Sequence, residues 1–526
     1  MTKVELYDTT LRDGAQSEGI SFSVNDKLKI CEKLAEIGLQ YIEGGWPGAN
    51  PKDMEFFKKA KSTKVCGASH LTAFGSTCKA RTKASQDVVL KGLVAAGTDY
   101  ITIFGKSWDL HVADVLKVDL SENLRMIKDS VGFLKSKGKI VFFDAEHFFD
   151  GYNSNREYAL KALQVAEEAG AKRIILCDTN GGTITSRVFE IVEEVKKVIK
   201  TPLGIHAHND SEMAVANSIA AVQAGCIQVH GTINGYGERC GNANLISVIA
   251  NLKLKLGMEC VSSLALTELT EVARFVAEIC NMKLSDNQPF VGESAFAHKA
   301  GVHINAILKN SRTYEHADPH LVGNRRRLLV SELSGKSTIL KKAQEMDLDL
   351  DKDGAQSKEI LKTMQELENK GYHFEAAEAS LELLMKRVLK KFKDFFDLEG
   401  FRVIIEKKKD GKMSSEATIK LKVGKELEHT ASLGDGPVNA LDSALRKALK
   451  KFYPRVEEMH LTDYKVRVLD EKQGTAARVR VLVQSQDKDD SWWTIGVSEN
   501  IIDASWQALV DSVEYKLLKD SKERKS

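Results

Sequence analysis

"EEAGAKRIILCDTNGG", residues 167–182, contains the whole structural unit of the first half of the chain. A helical stretch stops at Gly170, a residue that accepts the left-handed backbone of a helix end. Ile174 to Cys177 then run apolar on both faces, as strands do when helices cover both sides of a parallel sheet. The run breaks off in Asp178, Thr179 and Asn180, three polar residues in succession. The same unit recurs outward in both directions. Apolar, β-branched runs at "VELYDTTL", "LQYIEGGW", "KVCGASHL", "DYITIFGKS", "KIVFFDAEHF", "RIILCDTNGG", "PLGIHAHND" and "IQVHGTINGYGER" start near residues 4, 39, 64, 99, 139, 173, 202 and 227. Between them lie amphipathic stretches such as "VNDKLKICEKLAEIGL", with Leu28, Cys31, Leu34, Ala35 and Leu39 at helical spacing. Eight such units in the first 255 residues predict a (β/α)₈ TIM barrel. A doubly wound open sheet would carry a glycine fingerprint after its first strand, and none stands there.

Barrel enzymes work at the C-terminal ends of their strands. The polar letters gather at those positions: Arg12 and Asp13, Glu43, His70, Lys106, Glu146, Asp178 and Thr179, His206 and His208, then Glu238 and Asn242. Composition narrows the class of chemistry. A net charge of +2 gives no field to steer nucleic acid or an anionic membrane. The N-terminus has no apolar leader and no run approaches 18 apolar residues, so a protein that is neither exported nor membrane-embedded, hence cytoplasmic, is expected. Eight scattered cysteines without a CxxC pair point to reduced thiols, not to a disulfide framework or a zinc ribbon.

"GIHAHND" (204–210) is the sharpest local signal. Histidines at i and i+2 on a strand point the same way, so both imidazoles of His206 and His208 can reach one cation. Asp13 would add a hard oxygen ligand and Asn242 an amide oxygen. Two nitrogens plus oxygens suit an octahedral divalent ion such as Mn²⁺, Mg²⁺ or Co²⁺, with Zn²⁺ possible. Such an ion can polarise a chelated 2-oxo acid. Arg12, beside Asp13, would stabilise the oxygen that gains charge.

"LYDTTLRDGAQ", "YIEGG", "CDTNGG", "HAHND" and "GERCGNANL" together resemble the DRE-TIM metallolyase superfamily, which holds the 2-isopropylmalate, homocitrate and citramalate synthases and the hydroxymethylglutaryl-CoA lyases. The segment "FAHKAGVHINAILKNSRTYEHADPHLVGN" (296–324) resembles the synthases' linker subdomain. "EGGWPGANPKD", "FGKSWDLH" and "FDAEHFFDGY" look most like one citramalate branch. The resemblance implies a condensation of acetyl-CoA with a 2-oxo acid, pyruvate in that branch, followed by thioester hydrolysis. It implies metal ligands Asp13, His206, His208 and Asn242, and Arg12 as electrophilic stabiliser oriented by Glu43. It also implies that Glu146 positions substrates, that Gln16 and Thr179 contact the 2-oxo acid, and that His303, assisted by Tyr314, removes a proton from the acetyl methyl. Asp144, two residues before Glu146, shares its face and is expected to shape the pocket. Other 2-oxo acids, giving an isopropylmalate or homocitrate synthase, remain the alternative. A lyase is disfavoured because Cys240 lies only two residues before Asn242. A catalytically dead amino-acid sensor would have no use for the full ligand set.

Other polar residues read as structural: His298, His147 on the far side of its strand from Glu146, and the solvated cluster Arg325 to Arg327. His70 is expected near the mouth without a role. Beyond the barrel (1–282), a mainly helical linker subdomain (283–398) is expected, with helices near 357–370 and 374–393. A C-terminal α+β domain (399–526) follows. There "FRVIIE", "ATIKLKV" and "HTASLG" precede one helix, and "LTDYKVRVL", "ARVRVLVQSQ" and "WWTIGVS" precede another, an internal duplication, with "EKKKDGKMSS" (406–415) as a hairpin tip. In this family such a domain binds an end-product amino acid, which implies an isoleucine or leucine site and a homodimer.

Overall fold

The computed structural model describes residues 3–523 apart from 330–335, 347, 349, 351–354, 408, 410 and 470–476. The described chain divides into two compact units, 3–296 with 316–326, and 297–315 with 327–523.

The first unit is the expected barrel. Eight parallel strands close in sequence order: β1 (Glu5–Asp8), β2 (Tyr41–Gly45), β3 (His70–Ser76), β4 (Tyr100–Lys106), β5 (Ile140–Glu146), β6 (Arg173–Asp178), β7 (Leu203–Ala207) and β8 (Gln228–Gly231). β1 pairs with both β2 and β8, which removes every sheet edge. Helix ends follow the glycine signal, with Gly170 and Gly225 left-handed at φ 97° and 113°. Between strands and helices lies a continuous apolar layer that includes Leu6, Ile42, Ile103, Phe143, Leu176 and Val229, all fully buried.

One strand departs from its expected place. β3 begins at His70, not near 64, because Lys64 ends the preceding helix in a left-handed conformation and Gly67 turns the chain at φ 51°. His70 therefore lies at the N-terminal end of the barrel, 4.4 Å from the Tyr100 ring and 5.4 Å from Tyr41. It is not at the mouth.

The second unit carries helices Ala355–Asn369 and Glu378–Val388 and the expected duplication. Strands Asp397–Lys407, Met413–Val423 and Glu426–Gly434 form one antiparallel sheet, followed by helix Pro437–Leu449. Strands His460–Val468, Val479–Gln486 and Ser491–Ser498 form the other, followed by helix Ile501–Glu523. Period-two alternation buries Ala417, Ile419 and Leu421 of one central strand, and Val481 and Val483 of the other. The 406–415 hairpin tip lies partly outside the described residues.

Candidate active site

β1 ends on a tight turn, and its chemistry begins below the surface. Asp8 accepts the Thr10 N–H at 2.9 Å and the Thr10 hydroxyl at 2.8 Å, which fixes the turn that carries Arg12 and Asp13. Burial pushes the Asp8 carboxyl up to about 7. Arg12 then reaches sideways: its Nε donates to Glu43 Oε1 at 2.6 Å and its Nη1 to Asp13 Oδ2 at 3.1 Å. The guanidinium also lies 3.8 Å over the Phe74 ring. Glu43 is fully buried, and its second oxygen accepts the Tyr7 hydroxyl at 2.7 Å. Burial alone would weaken the charge on Arg12, but Glu43 and Asp13 outweigh it and hold the guanidinium firmly protonated. Glu43 thus lies behind Arg12, bonded to it, and is not among the residues that line the cavity.

Asp13, His206 and His208 meet at the mouth. Their ligand atoms all lie within 4.8 Å of one another. His206 Nε2 is 3.3 Å from His208 Nε2 and 3.5 Å from Asp13 Oδ2. Neutral imidazole nitrogens turned toward each other at that distance offer two lone pairs to one cation. Burial and the neighbouring His208 lower His206 to about 3, and burial lowers His208 as well, so both rings are neutral. Asp13 is held at about 2: burial would raise it, and Arg12 overcomes that effect with help from both histidines. Asn242 joins them through an antiparallel bridge between its backbone and that of His208. Asn242 Nδ2 donates to the Tyr236 carbonyl at 3.2 Å, while Asn242 Oδ1 and Asp13 Oδ1 are buried with no hydrogen-bond partner among the described residues. Orphaned buried oxygens beside two neutral imidazoles are what a divalent ion satisfies. The residues fit such an ion, and the Asp13–His206–His208 group could hold one.

The adjoining cavity, about 220 Å³, is lined by Arg12, Asp13, Gln16, Trp46, Phe74, Phe104, Asp144, Glu146, Cys177, Thr179, His206, His208 and Glu238. Period two accounts for the wall. Phe104 and Lys106 of β4 pair in register with Asp144 and Glu146 of β5, and Lys106 forms an ion pair with Glu146. Burial pushes the Asp144 carboxyl well above its ordinary range, with Glu43 adding repulsion. Thr179 Oγ1 accepts the His147 N–H at 2.9 Å, and Thr179 lines the cavity, where its hydroxyl can donate to a ligand. His147 is beyond the strand end, left-handed at φ 56° and 3.2 Å from Asp150, not on the far face of β5. Asp178, the last residue of β6, accepts the Thr183 hydroxyl at 2.8 Å and does not line the cavity.

Sequence reasoning missed the aromatic wall. Trp46 stands edge-on to Phe74 and Phe104 at 5.9 and 5.7 Å, and the latter two stack at 5.6 Å. The signal was available: Phe104 precedes Lys106 by two residues, the same relation that linked Asp144 to Glu146. Arg239 was also missed. It ties three loops by donating to Asp210 at 2.7 Å and to the Thr179 carbonyl at 2.7 Å. His303 and Tyr314 lie in the second unit, their rings stacked at 4.1 Å.

A closed barrel whose mouth joins an arginine to a carboxylate–bis-imidazole group defines a class of enzyme able to use a divalent cation on an oxygenated substrate. Comparison with known proteins narrows that class. The HMGL-like family model matches residues 3–276, the homocitrate synthase post-HMGL domain-like model residues 290–372, and the LeuA allosteric (dimerisation) domain residues 375–517. An (R)-citramalate synthase of Aquifex aeolicus is 57% identical over 99% of this chain and 99% of its own. One from Geobacter sulfurreducens is 57% identical over 99% and 98%. A 2-isopropylmalate synthase of Methanocaldococcus jannaschii is 32% identical over 99% and 96%. The chain belongs to the (R)-citramalate synthase family, within the HMGL-like barrels, and is an acyl-transferring condensation enzyme.

Proposed function

We propose that the enzyme condenses acetyl-CoA with pyruvate and hydrolyses the thioester, releasing (R)-citramalate and CoA. The observation that carries this reading is full-length identity of 46–57% to five citramalate synthases, against 32% to an isopropylmalate synthase. The cavity agrees with it. Trp46, Phe74 and Phe104 give the cavity of about 220 Å³ an apolar wall, against which the methyl group of a keto acid would lie.

In the proposed site Asp13, His206, His208 and Asn242 hold Mn²⁺, Mg²⁺ or Co²⁺. Zn²⁺ is a further candidate. The ion supplies Lewis-acid polarisation of the keto group. The chain's own residues do the rest. Gln16 and the Thr179 hydroxyl bind the substrate carboxylate, and the guanidinium donors of Arg12 not taken by Glu43 and Asp13 receive the keto oxygen as it gains charge. Glu146, in its ion pair with Lys106, and Asp144 bound the other side. His303, with Tyr314, is the proposed base for the weakly acidic acetyl methyl.

A three-part division is also part of the proposal: three family models match consecutive stretches, with their first boundary near the expected residue 282 and their second between 372 and 375 and not at 398. So are a homodimer, feedback inhibition by isoleucine or leucine, a place in isoleucine biosynthesis and a cytoplasmic location. Leu427 and Leu433, on one face of an edge strand and 49% and 71% exposed, support an interface in the matched dimerisation domain. No helix among the described residues is long and apolar enough to cross a membrane.

The test is release of CoA thiol from acetyl-CoA with Mn²⁺ and pyruvate, 2-oxobutanoate, 2-oxoisovalerate or 2-oxoglutarate in turn. At least about 100-fold preference in kcat/KM for pyruvate, some 2.7 kcal/mol, is expected. Preference for 2-oxoisovalerate would replace the substrate assignment while leaving the metal and arginine chemistry in place.

A further inference from the structure

Two buried thiols take no part in the chemistry at the mouth. Cys31 lies on the buried face of helix Val24–Glu36, and Cys66 lies in the turn between helix Pro51–Thr63 and β3. Their sulfurs are 2.7 Å apart. Packed carbon atoms rest about 3.5–4.0 Å apart and sulfur is no smaller, whereas a disulfide bond spans about 2.05 Å. The pair is therefore already inside contact distance and less than an ångström from bonding. Its frame is fixed. The Ser69 N–H donates to the Cys66 carbonyl at 2.8 Å and the Ser69 hydroxyl to the Leu39 carbonyl at 2.5 Å, so the turn is tied to the chain entering β2.

The two thiols are not equivalent. Cys31 is fully buried, while Cys66 is 8% exposed and lines a cavity of about 400 Å³ at the N-terminal end of β3. Lys61, Lys64 and Asp99 line the same cavity, and its two lysines against one carboxylate leave a positive balance that can draw an anionic co-reactant. The Cys31 S–H donated to Cys66 lowers the pKa of Cys66 and raises that of Cys31.

We propose that Cys31 and Cys66 form a dithiol–disulfide site, oxidised through Cys66 by small anionic disulfides of the glutathione class. The Cys66 thiolate attacks one sulfur of the disulfide RSSR, forming a Cys66–SR bond and expelling RS⁻. Cys31 then attacks Cys66 Sγ, its proton passing to the departing second RS⁻. The protein loses two electrons and two protons, and RSSR becomes two RSH. The new bond closes a loop between residues 35 apart in the chain, tethering the first helix to the turn before β3. A cross-link of that span is expected to raise the melting temperature by about 5–10 °C.

The test uses the full chain, both native and refolded from urea, equilibrated with reduced and oxidised glutathione at graded ratios, then acid-quenched, alkylated and digested with trypsin. The expected product is Ile30–Lys33 linked to Val65–Lys79. The second peptide also carries Cys78, so a tandem spectrum must place the link on Cys66. Oxidised protein should melt higher, and dithiothreitol should abolish the difference. Cys66→Ser should lose both the linked peptide and the shift, while Cys78→Ser and Cys240→Ser keep them. Full alkylation of Cys31 and Cys66 in both native and refolded protein overturns the proposal. So does Cys31 linked elsewhere, or an undiminished oxidative shift in Cys66→Ser.

Discussion

Removing Glu43 should harm catalysis only through Arg12. Glu43 is fully buried, touches Arg12 at 2.6 Å and Tyr7 at 2.7 Å, and is not among the cavity walls. In Glu43→Gln the amide oxygen can face Arg12 while the amide N–H₂ faces the Tyr7 oxygen, whose proton turns to Thr102 Oγ1, 2.7 Å away. Geometry survives and only the charge on the acceptor is lost. A charge-assisted hydrogen bond contributes about 1 kcal/mol more than a neutral one, so kcat should fall roughly fivefold with KM for pyruvate within about twofold. Glu43→Ala removes both acceptors and lets the guanidinium swing from the position where charge develops. Loss of one such donor costs about 2.7–4 kcal/mol, roughly 100- to 1,000-fold in kcat. The decisive measurement is the cycle with Arg12→Lys, whose single ammonium cannot reproduce the fork of donors. In that background Glu43→Ala should cost less than about threefold, because the residue it served is already gone. CoA thiol release under saturating Mn²⁺ gives all four rates. A full 100-fold penalty in the Arg12→Lys background would refute the reasoning and assign Glu43 its own contact with substrate.

Three further outcomes follow from the same coordinates. Phe104→Ala should open the cavity beside the keto acid and shift the kcat/KM ratio of pyruvate to 2-oxoisovalerate by roughly 10- to 100-fold toward the larger acid, read in competition assays. His208→Ala should weaken Mn²⁺ binding, followed by titration calorimetry, by at least about 100-fold, because one of two buried nitrogen donors is lost. Glu514 is buried to 1% exposure and its carboxyl is pushed up to about 8 by burial, despite the Phe395 N–H donated at 3.0 Å. The unfolded chain releases that proton near 4.5 and the folded one only near 8, so this group's stabilisation is full below 4.5 and is lost as pH rises through 8. Glu514→Gln cannot ionise and should recover up to about 4 kcal/mol at pH 9 relative to pH 4.5, seen in thermal melts of both proteins across that range.

The barrel was legible because its determinants are local and repeated. Each strand's apolar run and each helix's closing glycine can be read without knowing what packs against them. The two histidines of "GIHAHND" were legible for the same reason, since period two on a strand needs no tertiary information. Errors arose where a turn, not a periodicity, sets the boundary. Lys64 and Gly67 take left-handed conformations that move the start of β3 to His70, and a residue assigned to the mouth belongs to the opposite end. Glu43 shows a different limit. Its partnership with Arg12 was implied by the family resemblance, but local sequence alone does not say whether a carboxylate there meets substrate or an arginine, because that depends on which neighbour reaches it first. That neighbour, Arg12, comes from a strand 31 residues earlier in the chain. The aromatic wall shows a third. Phe74 and Phe104 are apolar letters in apolar strands, so composition files them with the core, and only their register against Asp144 and the arginine over Phe74 reveals that they face the cavity. On the proposed reading, specificity in this site would rest on residues that look like packing, and its chemistry on residues that look like chemistry. That is why the reaction class could be reached from sequence sooner than the size of the acid it accepts.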